Sequence, residues 1–151
     1  MPTPLERFVL HPWWRMSRGM TLGVRGLVTD DQGRVFLIRH SYTPGWHLPG
    51  GGVERGETMR TALDREMLEE GNISILGPPH LRGIYASPRF RGDHVGLFVI
   101  PDWTQASPPV PNREIVEHGF FARDDLPEAT TNGTRRRLAE VFEGVEITEY
   151  W

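Results

Sequence analysis

Glu66, Glu69 and Glu70 are the residues of this chain whose type and spacing most directly suggest chemistry. On an α-helix, positions i, i+3 and i+4 share a face, so the three carboxylates would stand together. Grouped carboxylates repel unless positive charge lies between them, and a hard divalent cation such as Mg²⁺ takes oxygen ligands of this kind, completing its shell with water and substrate phosphates. The same helix would bury Met59, Ala62 and Leu63. Steps of three or four from that stripe lead to Glu66, Glu69 and Glu70, so the acids continue the inward face instead of opposing it. Arg65 adjoins Glu66, but neighbours i and i+1 do not face each other on a helix. The cluster is thus left with few bases to neutralise it. A solvated acidic helix face is the common alternative for such a run.

Pro49-Gly50-Gly51-Gly52 precedes this helix. Consecutive glycines form a flexible turn, or they permit positive φ and close approach of backbone to a ligand. Thr58, after Gly56-Glu57, suits the N-cap. The run lacks the Lys-Ser/Thr ending of a P-loop and the strand-linked glycine fingerprint of a dinucleotide fold, so neither nucleotide loop is expected.

The stretch from Gly51 to Ile73 resembles the signature of the Nudix hydrolase superfamily, G-x5-E-x7-R-E-U-x-E-E-x-G-U, where U is aliphatic. Gly51, Glu57, Arg65-Glu66, Met67, Glu69-Glu70 and Ile73 match. Asn72 stands where the last glycine is usual. Asn tolerates a left-handed helix end better than other non-glycine residues, so the terminator is expected to survive. The resemblance implies an α/β/α sandwich with a mixed β-sheet between helices. It also implies a metal-dependent hydrolase that uses water to cleave the pyrophosphate linkage of a nucleoside diphosphate joined to another group. Mg²⁺, with Mn²⁺ as the alternative, would be held by Glu66, Glu69 and Glu70. Glu57 would ligate the metal or orient the glutamates, and Arg65 would organise the helix. Together with Glu69 these form the expected catalytic set.

Composition fits a small enzyme. The chain has 151 residues, net charge −3 and no cysteine. That length suits a single domain over 1–151, with 1–19 as an N-terminal extension. Lack of a long basic run disfavours binding to long nucleic acid. Without cysteine there are no disulfides or thiolate metal sites, in keeping with a reducing cytoplasm. The N-terminus has no secretory apolar region, and the apolar run Val95 to Ile100 is too short to span a membrane.

Strands are expected from Met20 to Thr29 and from Arg34 to His40, joined by Asp30-Asp31-Gln32-Gly33 as a hairpin. The motif helix covers about Thr58 to Glu70. Ile73 to Ala86 reads as extended structure interrupted at Gly77-Pro78-Pro79, and His94 to Ile100 as a buried strand. Ala106 to Arg113 is a proline-rich loop, and Ile115 to Ala122 is another strand. Asn132 to Glu143 forms a terminal helix with Leu138, Val141 and Phe142 inward.

A base for the attacking water is required. Glu114 and Glu117 are the candidates, with Glu117 preferred, and His94 and His118 are further options. Substrate contacts are expected from Gly50, Gly51, Trp46 and Arg89, since a guanidinium fork suits phosphate geometry. Tyr85, Phe90 and Arg91 flank the same region. Trp13 and Trp14 suggest a base-stacking wall, or an arm that completes a partner's site in a homodimer, against the alternative of packing on their own domain. On that aromatic segment ADP-ribose or another nucleotide sugar is the favoured substrate. The competing readings are an RNA 5′-end pyrophosphohydrolase and a non-catalytic nucleotide-binding module of the same superfamily.

Overall fold

The structure, a computed structural model, describes residue 3 and residues 18–151. Nine strands and two helices follow in the order β1 (Thr21–Leu27), β2 (Val35–His40), β3 (Trp46–His47), β4 (Gly50–Gly52), α1 (Met59–Gly71), β5 (Ile73–Ile75), β6 (His80–Ala86), β7 (Asp93–Val99), β8 (Trp103–Gln105), β9 (Ile115–Phe121) and α2 (Asn132–Phe142). They make a mixed sheet β4-β1-β7-β6, in which β1 and β7 run parallel, a sheet β3-β2-β9 and a pair β5-β8. The fold is the expected α/β sandwich. Among the described residues no helix is long and apolar enough to cross a membrane.

Strand alternation decides which layer each residue serves. Val24, Phe36 and Ile38 pack with Ala62, Leu63 and Met67 of α1. Their odd-numbered neighbours Leu27, Val35 and Leu37 pack instead with Leu138 of α2. The sheets thus carry an α1 face and an α2 face. Gly26 lies on the α1 face, where a Cβ would collide with the Met67 sulfur, so its absence lets helix and strand approach.

Two expectations need correction. The turn between β1 and β2 forms, with Gly33 N–H donating to Asp30 O at 2.9 Å, but the strands share only the bridge Thr29–Val35 and then diverge. Both edges of β1 are taken, by β4 and β7, so β2 pairs with β3 and β9 instead of forming a hairpin. The inward face of α2 is also more polar than the stripe Leu138, Val141 and Phe142 suggests. Thr134, Arg137 and Glu140 are buried beside Leu138. Arg137 pairs with Glu140 at 2.9 Å and lies over the Tyr85 ring, and Tyr85 OH donates to Glu140 at 2.8 Å. The charges are tolerated inside because they are paired and hydrogen-bonded.

α1 begins and ends where its sequence suggests. Thr58 Oγ1 accepts from Thr61 N–H at 3.1 Å. Asn72 ends the helix at φ 50°, the left-handed conformation, and returns its N–H to Leu68 O. Its side chain also donates to Ser107 O at 2.9 Å. Asn72→Ala is expected to lose about 1–2 kcal/mol, because alanine keeps the Cβ this conformation penalises without the side-chain amide that offsets it. Asn72→Gly should lose less, which thermal or urea unfolding of the two variants will show.

Candidate active site

The glycine strand β4 and the acidic end of α1 meet directly. Gly50 N–H donates to Glu70 Oε2 at 2.7 Å. Gly50 has φ 148°, and a Cβ there would overlap the Val24 carbonyl. A Cβ on Gly51 would overlap the Glu66 carboxylate. Backbone therefore occupies the space a side chain would need, and two glutamates press against it. Gly50 and Gly51, expected as substrate contacts, are seen here holding the glutamates.

Arg65 is the organiser of the cluster. Its Nε and Nη2 grip both oxygens of Glu57 at 2.8 and 2.9 Å, and its Nη1 donates to Glu66 Oε1 at 2.7 Å. Nη2 also donates to Gly52 O at 3.0 Å, and Nη1 lies 3.5 Å from Glu69. The expectation that Arg65 and Glu66 would not meet is corrected. The spacing rule describes Cβ directions, whereas a long guanidinium side chain swings across the turn and serves Glu66 and Glu69 together. The Arg65 fork, helped by Glu54 N–H, holds the Glu57 carboxyl down to about 2 and raises Arg65 in turn.

Glu66 and Glu70 behave differently. Burial raises Glu66 against the pull of Arg65. Burial pushes Glu70 up to about 8; the Gly50 N–H and the Arg25 charge oppose this, while Glu66 and Glu114 reinforce it. His40 Nε2 lies 3.6 Å from Glu70 Oε1. Burial also lowers His40 to about 4, so charge is disfavoured on both partners and the contact is not a strong ion pair. His40 is 6% exposed, and its Nδ1 has no hydrogen-bond partner among the described residues.

A cleft of about 560 Å³ opens beside these acids, lined by Glu69, Glu70, Asn112, Arg113, Glu114 and Ile115. The loop bearing Glu114 is fixed locally. Asn112 Oδ1 accepts from the N–H groups of Glu114 and Ile115 at 2.8 and 2.9 Å, and Ser41 N–H donates to Glu114 O at 2.8 Å. Glu114 therefore joins the carboxylate site. Glu117 does not, which corrects the preference for it. In the β2–β9 register Glu117 lies opposite Arg39, and His118 lies opposite Ile38. Ile38 is on the α1 face, so Glu117 and Arg39 are on the other one, where they form an ion pair.

The same parity moves Trp46 away from the site. It pairs with Arg39, packs edge-on against Phe121 at 4.8 Å and belongs to the core under α2. Its neighbour His47 lies opposite Ile38, with its ring 5.9 Å from that of His40. Arg89 is exposed in the β6–β7 loop, and its charge reaches His47. Tyr85 is buried against α2, whereas Phe90 is exposed. His118 stacks near Phe36 at 6.1 Å. His94 Nδ1 is buried without a hydrogen-bond partner among the described residues. Trp13 and Trp14 lie outside the described residues.

Sequence reasoning missed Arg25, His40 and His47. The β2 alternation carried a usable signal for one of them, because His40 is two residues beyond Ile38 and so shares its face. Arg25 gave no such signal, since it reaches the site only by bonding Leu48 O at 2.8 Å and Gly50 O at 3.2 Å across the sheet edge.

Among the described residues no three His, Asp or Glu side chains converge into a metal-binding group as they stand. The donor set nevertheless fits a hard cation in its chemistry. Glu66, Glu69 and Glu70 offer only oxygens, Glu69 is largely exposed, and Glu70 Oε1 accepts no hydrogen bond among the described residues.

The NUDIX domain family matches residues 19–142, and the chain belongs to that family. It is 36% identical over 78 residues to an RNA pyrophosphohydrolase of Halorhodospira halophila, covering 48% of this chain and 43% of that protein. It is 37% identical over 65 residues to a MutT-like protein of Streptomyces ambofaciens, covering 43% and 42%. The chain thus spans less than half the length of these curated relatives. Among solved structures, the MutT NUDIX hydrolase from Burkholderia pseudomallei superposes with a TM-score of 0.69 at 28% identity, covering 80% of this chain and 97% of that one.

Gly51→Ala should displace the Glu66 carboxylate while leaving the fold intact, because the obstructing atoms end a flexible side chain. We expect Mn²⁺ affinity to fall about 10–100-fold, the usual effect of disturbing a group that orients a ligand. Mn²⁺ titration followed by electron paramagnetic resonance, beside a thermal melt, measures both.

Proposed function

We propose that this protein is a metal-dependent hydrolase that cleaves the P–O–P linkage of a nucleoside diphosphate joined to another group. The observation that carries this reading is the meeting of Glu66 and Glu70 with the β4 backbone, with Glu69 beside them on α1, at a cleft that Glu69, Glu70 and Glu114 line. Glu66, Glu69 and Glu70 would hold Mg²⁺ or Mn²⁺. Bound there, the cation supplies charge neutralisation for the phosphates and a more acidic water.

The remaining work falls to the chain's own groups. Arg65 fixes Glu57 and Glu66, so α1 and the glycine strand stay in register. Gly50 N–H fixes one oxygen of Glu70 and leaves the other available. Glu114 takes the proton of the attacking water, in place of Glu117. Intact motif carboxylates argue against a non-catalytic module, which has no use for them. The RNA 5′-end reading keeps a place because several relatives are named RNA pyrophosphohydrolase. The ADP-ribose preference rested on the N-terminal tryptophans, which lie outside the described residues.

The test is a panel of nucleoside diphosphate derivatives with Mg²⁺ or Mn²⁺, run on wild type and Glu70→Gln. Glutamine keeps an acceptor for Gly50 N–H and removes a charge that burial already disfavours. Turnover should vanish while the melting temperature holds or rises. Full activity in Glu70→Gln would overturn the metal assignment. In the same assay Glu114→Gln is expected to lower kcat by about 10²–10⁴, the usual contribution of a general base, and Glu117→Gln to change it little.

A further inference from the structure

Asn72 stands where glycine is usual, and the helix end does not need the departure. Glycine adopts the left-handed conformation of this position, φ 50°, without a Cβ penalty, and the N–H that returns to Leu68 O is a backbone group. What glycine cannot supply is the amide. Asn72 Nδ2 donates to Ser107 O at 2.9 Å and to Ser107 Oγ at 3.1 Å. Beside it, Gln105 Nε2 donates to Gly71 O at 2.6 Å and satisfies a carbonyl left free at the helix end. The end of α1 is thus tied to the start of the connection between β8 and β9, residues 106–114.

That connection ends at the cleft. Ser107 is followed by Pro108, Pro109, Val110 and Pro111, and then by Asn112, Arg113 and Glu114, which line the cleft with Glu69 and Glu70. Three of the four residues between Ser107 and Asn112 are prolines, whose rings fix φ, so the segment is stiff. Val110 is 83% exposed, which leaves the segment little support from the core. Its position is therefore set by its ends. At the Glu114 end, Asn112 Oδ1 accepts from Glu114 N–H, Ser41 N–H donates to Glu114 O, and Ser41 Oγ donates to Arg113 O at 2.6 Å. At the other end stand the Asn72 amide and Gln105. A stiff segment held in this way carries a shift at Ser107 through to Glu114. The turn of α1 that presents Glu69 and Glu70 thereby also fixes the segment that presents Glu114.

We propose that Asn72 is a positioning residue, which by pinning Ser107 sets the place of Glu114 relative to Glu69 and Glu70. The role rests on the hydrolase reading above, in which Glu114 takes the proton of the attacking water. Misplacing a reacting group by about 1 Å can cost roughly 10²-fold in rate, so a bond remote from the substrate can govern kcat.

Asn72→Gly keeps the helix terminator and removes the amide, and Asn72→Asp keeps the side-chain shape and removes only the donors. Hydrogen–deuterium exchange over 106–115 reads the pin without turnover. It should quicken by about 2–10-fold in both variants, the loss that one net hydrogen bond represents, while α1 keeps its protection. In the kinetic arm kcat should fall by about 10-fold or more, with KM and Mn²⁺ affinity unchanged, since no metal ligand is removed. In a Glu114→Gln background Asn72→Gly should have little further effect, because changes that act through one group are not additive. Unchanged exchange over 106–115 overturns the proposal. Quickened exchange with unchanged kcat also overturns it and leaves Asn72 a helix terminator alone. So does a loss of kcat that persists in full in Glu114→Gln, which would mean that Asn72 acts on α1 itself. Absence of turnover by wild type, with the exchange response intact, sinks the hydrolase reading and supports the pin.

Discussion

The contact between the acidic end of α1 and the bare backbone of β4 is the constraint on which the rest of the site depends. Glu70 reaches the Gly50 N–H at 2.7 Å, and Glu66 fills the space a Cβ on Gly51 would take. Only glycine permits that approach. The approach carries an electrostatic penalty, since two carboxylates are drawn from water at the junction of strand and helix. Burial raises both from their ordinary values, Glu70 up to about 8. Arg65, the motif arginine that reaches the acids, cannot serve all of them, because its fork is committed to Glu57 and its remaining nitrogen to Glu66. Glu70 is left with a backbone N–H, a neutral histidine and the more distant charge of Arg25. The protein thereby maintains a demand for positive charge that its own side chains do not satisfy.

The layer arrangement explains why this demand appears on one side only. α1 covers one face of the strands and α2 the other, and alternation along each strand sends neighbouring residues to different layers. His47 faces the α1 side and Trp46 the α2 core. Under α2 the buried charges are paired, Arg137 with Glu140 and Tyr85 donating to the same carboxylate, although Arg137 Nε is left without a hydrogen-bond partner among the described residues. Near α1 Glu70 has only a backbone N–H and the His40 ring within reach. A paired network stiffens a core, whereas a buried carboxylate short of a cationic partner suits a ligand that brings positive charge.

Much of the site was legible in the sequence because it is local. The acids sit within five residues of one helix, and i, i+3, i+4 geometry follows from helical repeat alone. Thr58 as cap and Asn72 as a left-handed terminator are likewise decided by short-range chemistry, as is the need for glycine before the helix. Arg65 was readable in role but not in reach, since a spacing rule for Cβ atoms does not describe where a five-donor guanidinium ends.

What the tertiary structure alone decided is everything set by strand register and layer. Glu114 and Glu117 stand three residues apart, and the sequence alone favoured Glu117. Pairing of β9 with β2 sends Glu117 to Arg39 on the far face, while the loop held by Asn112 and Ser41 brings Glu114 to the cleft. Trp46 was withdrawn into the α2 core by the same parity. Arg25 was invisible because its significance comes from Leu48 and Gly50, more than twenty residues away. The physical reason is common to all three. A helix motif carries its geometry within the chain, but which residue faces which across a sheet depends on partners the local sequence does not name.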